Sequence, residues 1–349
     1  MMGAPDSTIQ VGAGATPAQS KAVILMYHRI TQAELDPWGM CVSPENFSEH
    51  LAAINAVATP MSLIDYTRSL TAGTLPAGAV VVVTFDDGYV DNFEQALPLL
   101  RRHRVPATLF VATCHVDSDG EFWWDRLETA LLTAGTLPDR LVLQLPDGDS
   151  REWLTGMAAT YAAEDMKADR DVRAWSAKPG TRLGFFYDVW KTLWPMPDDI
   201  REKALDQVER WAGVGKFKGQ SRRSMTSEEI RNMGREGIME IGSHTVNHPP
   251  LPAHESSVQF AQIRESRDRL QEILGLPVTT FAYPHGEYSE ETIRILRELG
   301  FECAVTVEQR IAGEGSDVMK LPRFGVKDEG GDVFRIQLES WLALDHCAN

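Results

Sequence analysis

The chain has 349 residues, of which 43% are hydrophobic and 24% charged, and its formal net charge at pH 7 is -16. That length and composition exclude a small stapled module and disorder over most of the chain; they call for one large domain with insertions, or two modest ones. The acidic balance disfavours a broad electrostatic grip on nucleic acid or on an anionic membrane.

Residues 1–21 are rich in Gly, Ala, Ser and Thr and are expected to form a disordered tail. The first 20 lack Lys, Arg and an apolar segment, so they do not read as a signal peptide. Structure is expected from Ala22, where Ala22–Tyr27 is a short apolar strand followed by His28, Arg29 and Ile30. Ser43-Pro44-Glu45 opens a helix carrying Phe47, Leu51 and Ile54 at helical spacing. Ala79–Phe85 (AVVVVTF) is apolar on both faces, which suits the middle of a parallel sheet. A helix over Asp91–His103 and a strand over Ala107–Val111 complete a strand–helix–strand unit.

The character then changes. Residues 114–224 hold seven of the nine tryptophans, Trp123, Trp124, Trp153, Trp175, Trp190, Trp194 and Trp211, and read as a helical insertion. Beyond it the rhythm resumes, with helices over Thr226–Glu236, Glu255–Leu274 and Ser289–Leu299. These alternate with strands over Ile238–Gly242, Val278–Ala282 and Cys303–Val307. The expected organisation is a β/α unit of residues 22–113 and 225–349 interrupted by the insertion at 114–224. No apolar run approaches the roughly 18 residues needed to span a bilayer. The cysteines Cys41, Cys114, Cys303 and Cys347 are scattered and form no Cys-x-x-Cys, which excludes a zinc ribbon or dense disulfide framework and suits a reducing compartment. The expected location is cytoplasmic.

Three polar clusters sit where predicted strands end, the place where parallel β/α folds collect functional groups. In Asp86-Asp87-Gly88, adjacent carboxylates behind an apolar strand call for a cation to offset repulsion and lost hydration, although Asp-Gly also suits a helix cap and turn. In Ser243-His244-Thr245-Val246-Asn247-His248, two imidazoles four apart can meet one metal ion; with one carboxylate they form an open catalytic shell. Two surface histidines in a polar loop would have the same spacing. The third cluster is Tyr283-Pro284-His285-Gly286.

Thr84-Phe85-Asp86-Asp87-Gly88, the Ser243–His248 segment and Phe281-Ala282-Tyr283-Pro284-His285-Gly286 together resemble the polysaccharide deacetylase (NodB-homology) family, carbohydrate esterase family 4. The resemblance implies an α/β fold, a deformed (β/α) barrel, often seven-stranded, here with a helical Trp-rich insertion. It implies a divalent metal, most often zinc, held by Asp87, His244 and His248, with Asp86 as general base. Cobalt or another divalent ion is the alternative. Many members carry an Arg in the third motif where this chain has Ala282; Arg323, from Leu321-Pro322-Arg323-Phe324, is the candidate replacement. The late Leu-x-His motif that supplies the acid is missing, and His346 near the chain end stands in a poor context. Met26-Tyr27-His28-Arg29 resembles the arrangement in poly-N-acetylglucosamine deacetylases, which makes His28 the candidate acid. Phe122-Trp123-Trp124-Asp125 resembles a segment of some longer relatives.

The implied activity is metal-dependent hydrolysis of an N-acetylated amino sugar, releasing acetate. The sugar would be a glycan precursor on a lipid or nucleotide carrier, or a small glycoside. Tyr283, Pro284, His285, Trp123 and Trp124 are the expected substrate contacts, with a backbone N–H near Tyr283 facing the developing oxyanion. Two other readings stay open: hydrolysis of a non-sugar amide in the same fold, and a degenerate protein that binds a glycan without cleaving it.

Overall fold

The computed structural model describes residues 21–133, 135–214 and 222–344. Of the expected tail over residues 1–21, residues 1–20 lie outside the described residues, as do His346 and Cys347, whereas Lys21 opens the first strand.

Seven parallel strands form a ring in sequence order. They are β1 (Lys21–Tyr27), β2 (Ala79–Phe85), β3 (Ala107–Val111), β4 (Met239–Ser243), β5 (Thr280–Ala282), β6 (Cys303–Val305) and β7 (Phe324–Gly325). Closure falls to one short segment: Leu321 bridges Val305 on β6, and Phe324 pairs with Leu25 on β1. The ring is deformed by two extra strands. Thr59–Met61 takes the first half of β2, leaving Val83–Phe85 for β3, and Ala312–Gly313 runs antiparallel to the start of β1.

The apolar character of β2 follows from its position. Val80 and Val82 pack inside the ring with Ile24, Phe110, Ala282 and Val305. Val81, Val83 and Phe85 face outward to the helices, against Leu51, Leu97 and Leu100. A strand buried on both faces has no use for polar alternation.

The surrounding helices are α1 (Pro44–Val57), α2 (Leu63–Ala72), α3 (Leu97–His103), then α8 (Ser227–Arg235), α9 (Ser256–Leu274), α10 (Glu290–Glu298) and α11 (Gly331–Leu342). Their starts are set by local chemistry. Ser43 and Ser62 cap α1 and α2, and Thr226 forms a reciprocal capping box with Glu229 at α8. Helices α2 and α11 were not among the expected elements.

The insertion contributes α4 (Trp123–Leu132), α5 (Ala163–Asp169), α6 (Arg182–Leu193) and α7 (Asp198–Ala212) around its own apolar core. It is not wholly helical, as the sequence reading expects: Arg140–Gln144 pairs antiparallel with Ser150–Leu154, and Gly135–Thr136 with Thr160–Tyr161. Alternation over five residues, with Leu141 and Leu143 buried, is too short to be distinguished from a helical turn by periodicity.

Candidate active site

The five groups expected to do chemistry meet at the carboxyl end of the ring. His28 follows β1, Asp86 and Asp87 follow β2, His244 follows β4, and His248 lies in the same loop. The strands place them there, and strained backbone aims them. Asp87, Thr245, His248 and His285 all have positive φ, at 77°, 67°, 54° and 58°, and account for four of the six such non-glycine residues described. L-residues avoid that region, so the surrounding contacts must hold them in it. Thr245 Oγ1 accepts from the His248 N–H at 3.0 Å, and Gln262 on α9 accepts from the N–H groups of Val246 and Asn247. Gly88 is required by the close approach of β3: at φ 88°, a Cβ there would lie 2.9 Å from Val111 Cγ1.

The two adjacent acids have opposite environments. Arg323, wholly buried beside β7, donates from both terminal nitrogens to the two oxygens of Asp86 at 2.7 Å each. Its Nε donates to the Thr306 carbonyl at 2.8 Å, and one terminal nitrogen also reaches Thr84 Oγ1 at 3.1 Å. Burial opposes ionisation of Asp86 most strongly, but the charge and hydrogen bonds of Arg323, with His244 and His28 beside it, together outweigh burial and hold the carboxyl down at about 2. Asp87 has no such clamp. Burial first, then the charge of Asp86, push its carboxyl well above the usual range.

Asp87, His244 and His248 form a group whose ligand atoms all lie within 4.8 Å of one another. Each imidazole Nε2 is 3.7 Å from the same Asp87 oxygen. The His244 Nδ1 donates to the Ala282 carbonyl at 2.7 Å, which leaves Nε2 to face the acid. Burial lowers the His244 imidazole to about 4 and the His248 imidazole well below its usual value, so both are neutral at pH 7. Two neutral imidazoles and a buried acid that lacks a cation fit a divalent ion. Ala282, where the resemblance leads one to expect an arginine, offers its carbonyl to His244, while Arg323 reaches Asp86 from the closing segment.

His28 faces this group from β1, with Nε2 3.9 Å from Asp86 Oδ2 and a side chain 22% exposed. Burial lowers its pKa, Asp86 opposes that, and Arg323 reinforces it. Its backbone is fixed on both sides. Asn92, in a π-helical turn over Asn92–Ala96, donates to the His28 carbonyl at 3.0 Å, and the next residue, Arg29, pairs with Asp91 at 2.9 Å.

A cavity of about 250 Å³ opens over these groups. Tyr283 and His285 line it, as expected, and so does Trp124. The Trp124 ring stands edge-on to His248 at 5.0 Å, and its Nε1 donates to the Tyr89 hydroxyl, which donates to Asp125. The Phe122–Asp125 segment therefore braces His248 against the residue that follows Gly88. Trp123 and Pro284 do not line the cavity. One position along a helix turns a side chain by about 100°, and Trp123 packs instead against Trp190 and beneath the Arg201 guanidinium. Pro284 is buried in the turn Pro284–Gly286. The Tyr283 N–H is likewise taken: it donates to the Val305 carbonyl at 3.2 Å and does not face an oxyanion. The sequence reading missed the remaining wall: Trp38 and Met40 from a loop after β1, Trp175 and Trp190 from the insertion, Met26 and Val307. Trp38, one of two tryptophans outside the insertion, was the signal that could have found it.

A ring of parallel strands that gathers a clamped carboxylate, three residues able to hold a metal ion and a histidine beneath one cavity has the make-up of a hydrolase site. The sequence model described as polysaccharide deacetylase matches residues 75–135 and 206–304, on either side of the middle of the insertion, and the chain is similar to that family over those two segments. It is 20% identical over 330 residues to YxkH of Bacillus subtilis (strain 168), named as a polysaccharide deacetylase, covering 93% of this chain and 78% of that one. Its fold is similar to the Streptococcus pyogenes deacetylase PplD in complex with acetate (TM-score 0.58, 19% identity, 94% of this chain and 100% of that one). It is also similar to IcaB from Ammonifex degensii (TM-score 0.57, 18% identity, 93% and 97%). Among the described residues, no helix is long and apolar enough to cross a membrane.

Proposed function

We propose that this enzyme removes the acetyl group from an N-acetylated amino sugar with a divalent metal, most suitably zinc, held by Asp87, His244 and His248. The observation that carries the reading is the divided acid pair. Asp86 is kept ionised by Arg323 and is tied up in no metal group, while Asp87 is left to two neutral imidazoles. A protein that only bound glycan would have no use for a clamped base beside a metal group.

When bound, the ion would polarise the amide carbonyl and ease deprotonation of a water. Asp86 takes a proton from that water as its oxygen bonds to the carbonyl carbon. Arg323 keeps Asp86 anionic and oriented for this transfer. His28, on the same side as Asp86 Oδ2, gives a proton to the amide nitrogen as the C–N bond breaks, because an amide anion is a very poor leaving group. Acetate and a free amine result; Asp86 then gives up its proton to solvent and His28 takes one back, which restores both groups. Trp124 and Tyr283 exclude bulk water around the acetyl group.

The test is acetate release from N-acetylglucosamine in free, oligomeric, nucleotide-linked and glycoside forms, with zinc or cobalt and with a chelator. Release that depends on metal from any sugar class is the expected result. No release from any of them by protein shown to carry metal would overturn the proposal and favour a non-sugar amide or simple glycan binding.

A further inference from the structure

The cavity wall above the reacting groups is aromatic and rigidly assembled from two separate parts of the chain. Trp38 comes from the loop between the short paired strands Arg29–Ile30 and Cys41–Val42. Trp175 comes from the insertion. The two parts are bonded together: the Ala174 N–H donates to the Pro37 carbonyl at 2.8 Å, and Arg173 donates to the Asp36 carbonyl at 2.9 Å. Asp36 in turn accepts from the N–H groups of Met40 and Cys41, which fixes the loop from within. The Trp38 ring stacks on Trp175 at 6.4 Å and 27°, and lies 4.7 Å from the Trp190 ring. Trp175 is 57% exposed, so this face runs from the cavity out to solvent.

Size and charge limit what can occupy it. About 250 Å³ falls below the roughly 300–1,000 Å³ of pockets that enclose drug-sized ligands, which leaves room for one sugar ring and its acetamido group. Among the described residues that line it there is no lysine or arginine, and the chain carries a formal charge of -16, so no described cationic side chain there answers a diphosphate. An apolar group attached to the sugar would instead continue onto Trp38 and Trp175, whose faces stack on flat or aliphatic surfaces.

Resting on the deacetylase reading, we infer that the substrate is a neutral glycoside of a single N-acetylated amino sugar, with its apolar aglycone held on the Trp38–Trp175 face. Polymers and nucleotide sugars are then poor substrates.

The experiment compares metal-replete enzyme on 4-nitrophenyl and octyl glycosides of N-acetylglucosamine, free N-acetylglucosamine, its oligomers, and its uridine-diphosphate derivative. Binding of the two glycosides is measured in parallel by calorimetry. The expected result is a kcat/KM for the apolar glycosides about tenfold or more above that for the free sugar, and still further above the oligomers and the nucleotide sugar. Trp175→Ala, an exposed change that leaves the insertion core intact, should raise KM and Kd for the apolar glycosides about tenfold more than KM for the free sugar. Trp175→Tyr should restore most of the difference. Preference for oligomers or for the nucleotide sugar, or an unchanged ratio in Trp175→Ala, would overturn the inference while leaving the deacetylase reading in place. Glycoside binding that depends on Trp175 without acetate release would overturn the deacetylase reading and with it the glycoside's role as substrate, leaving only its binding on the Trp38–Trp175 face. Absence of both binding and release would remove both.

Discussion

Arg323→Met removes both arms of the clamp on Asp86 while keeping the length and much of the volume of the side chain. In the wild type the two N–O separations are 2.7 Å, Arg323 is wholly buried, and the Asp86 side chain is 4% exposed. Charges about 4 Å apart at an effective dielectric near 20 attract by about 4 kcal/mol, and loss of one partner of a buried pair costs about 3–5 kcal/mol because the other is left uncompensated. At roughly 2–4 °C per kcal/mol for a large domain, the melting temperature should fall by about 10 °C. The second consequence is chemical. With Arg323 gone, burial still raises the Asp86 pKa and the main opposing influence is lost. The carboxyl must climb from about 2 to above its ordinary value, so the acid limb of the pH–rate profile moves to higher pH. Loss of orientation should lower kcat by about a hundredfold. Arg323→Lys, which keeps charge but cannot form the fork, should fall between the two. Asp86→Asn combined with Arg323→Met should recover most of the stability and none of the activity, since it removes both charges. Thermal unfolding and acetate release across pH 4–9 measure all of this. An Arg323→Met protein that melts at the wild-type temperature with an unshifted acid limb would refute the positioning role.

His28→Ala should lower kcat by about 10²–10⁴-fold with metal content unchanged, as read by metal analysis and acetate release; full activity would remove His28 from the scheme. Asp87→Asn should lose bound zinc and activity together, and zinc should raise the melting temperature of the wild type but not of this variant. His50 gives a stability test away from the site. It is buried, its Nδ1 lies 3.2 Å from the Tyr27 hydroxyl, its Nε2 lies 2.6 Å from the Glu329 carbonyl, and its ring stacks on Phe334 of α11 at 4.0 Å. Burial lowers its pKa from 6.5 to about 4, so it stays neutral in the fold while the unfolded chain takes up a proton. Its contribution is therefore intact above pH 6.5 and declines by about 3 kcal/mol as pH falls to 4. Urea unfolding of zinc-loaded wild type and His50→Gln should diverge in slope over that window; parallel slopes would refute the assignment.

The ring strands were legible because they are buried on both faces. AVVVVTF admits no amphipathic helix, and the runs of β1, β2, β4 and β5 lead into His28, Asp86, His244 and Tyr283, whose types announced chemistry. The elements that were not legible are short or lack a start signal. Helix α11 begins at Gly331 after Gly330 with no side-chain cap, and it buries only Phe334 and Leu338, four apart. Strand β7 is two residues long, and its place in the ring depends on pairing with β1, about 300 positions earlier in the chain. Pairing at that distance leaves no local pattern to read.

The same distance explains why the sequence raises Arg323 as a candidate while only the fold pairs it with Asp86. The motif residues assign themselves by adjacency, since Asp86 and Asp87 share a turn and His244 and His248 share a loop. Their division of labour does not, because two neighbouring carboxylates differ only in what surrounds them. That difference is made by Arg323, 237 positions from Asp86, delivered by the segment that closes the ring between β6 and β1. A closed barrel makes this substitution possible: Asp86 lies at the rim of the interior, where side chains from several strands converge, so the guanidinium need not come from the strand that bears Ala282. The pairing of β1 with β2 along its whole length brings His28 to 3.9 Å from Asp86 Oδ2. Arg323 and His28 thus both reach Asp86 from parts of the chain well separated from it in sequence, because the ring sets their strands around one rim.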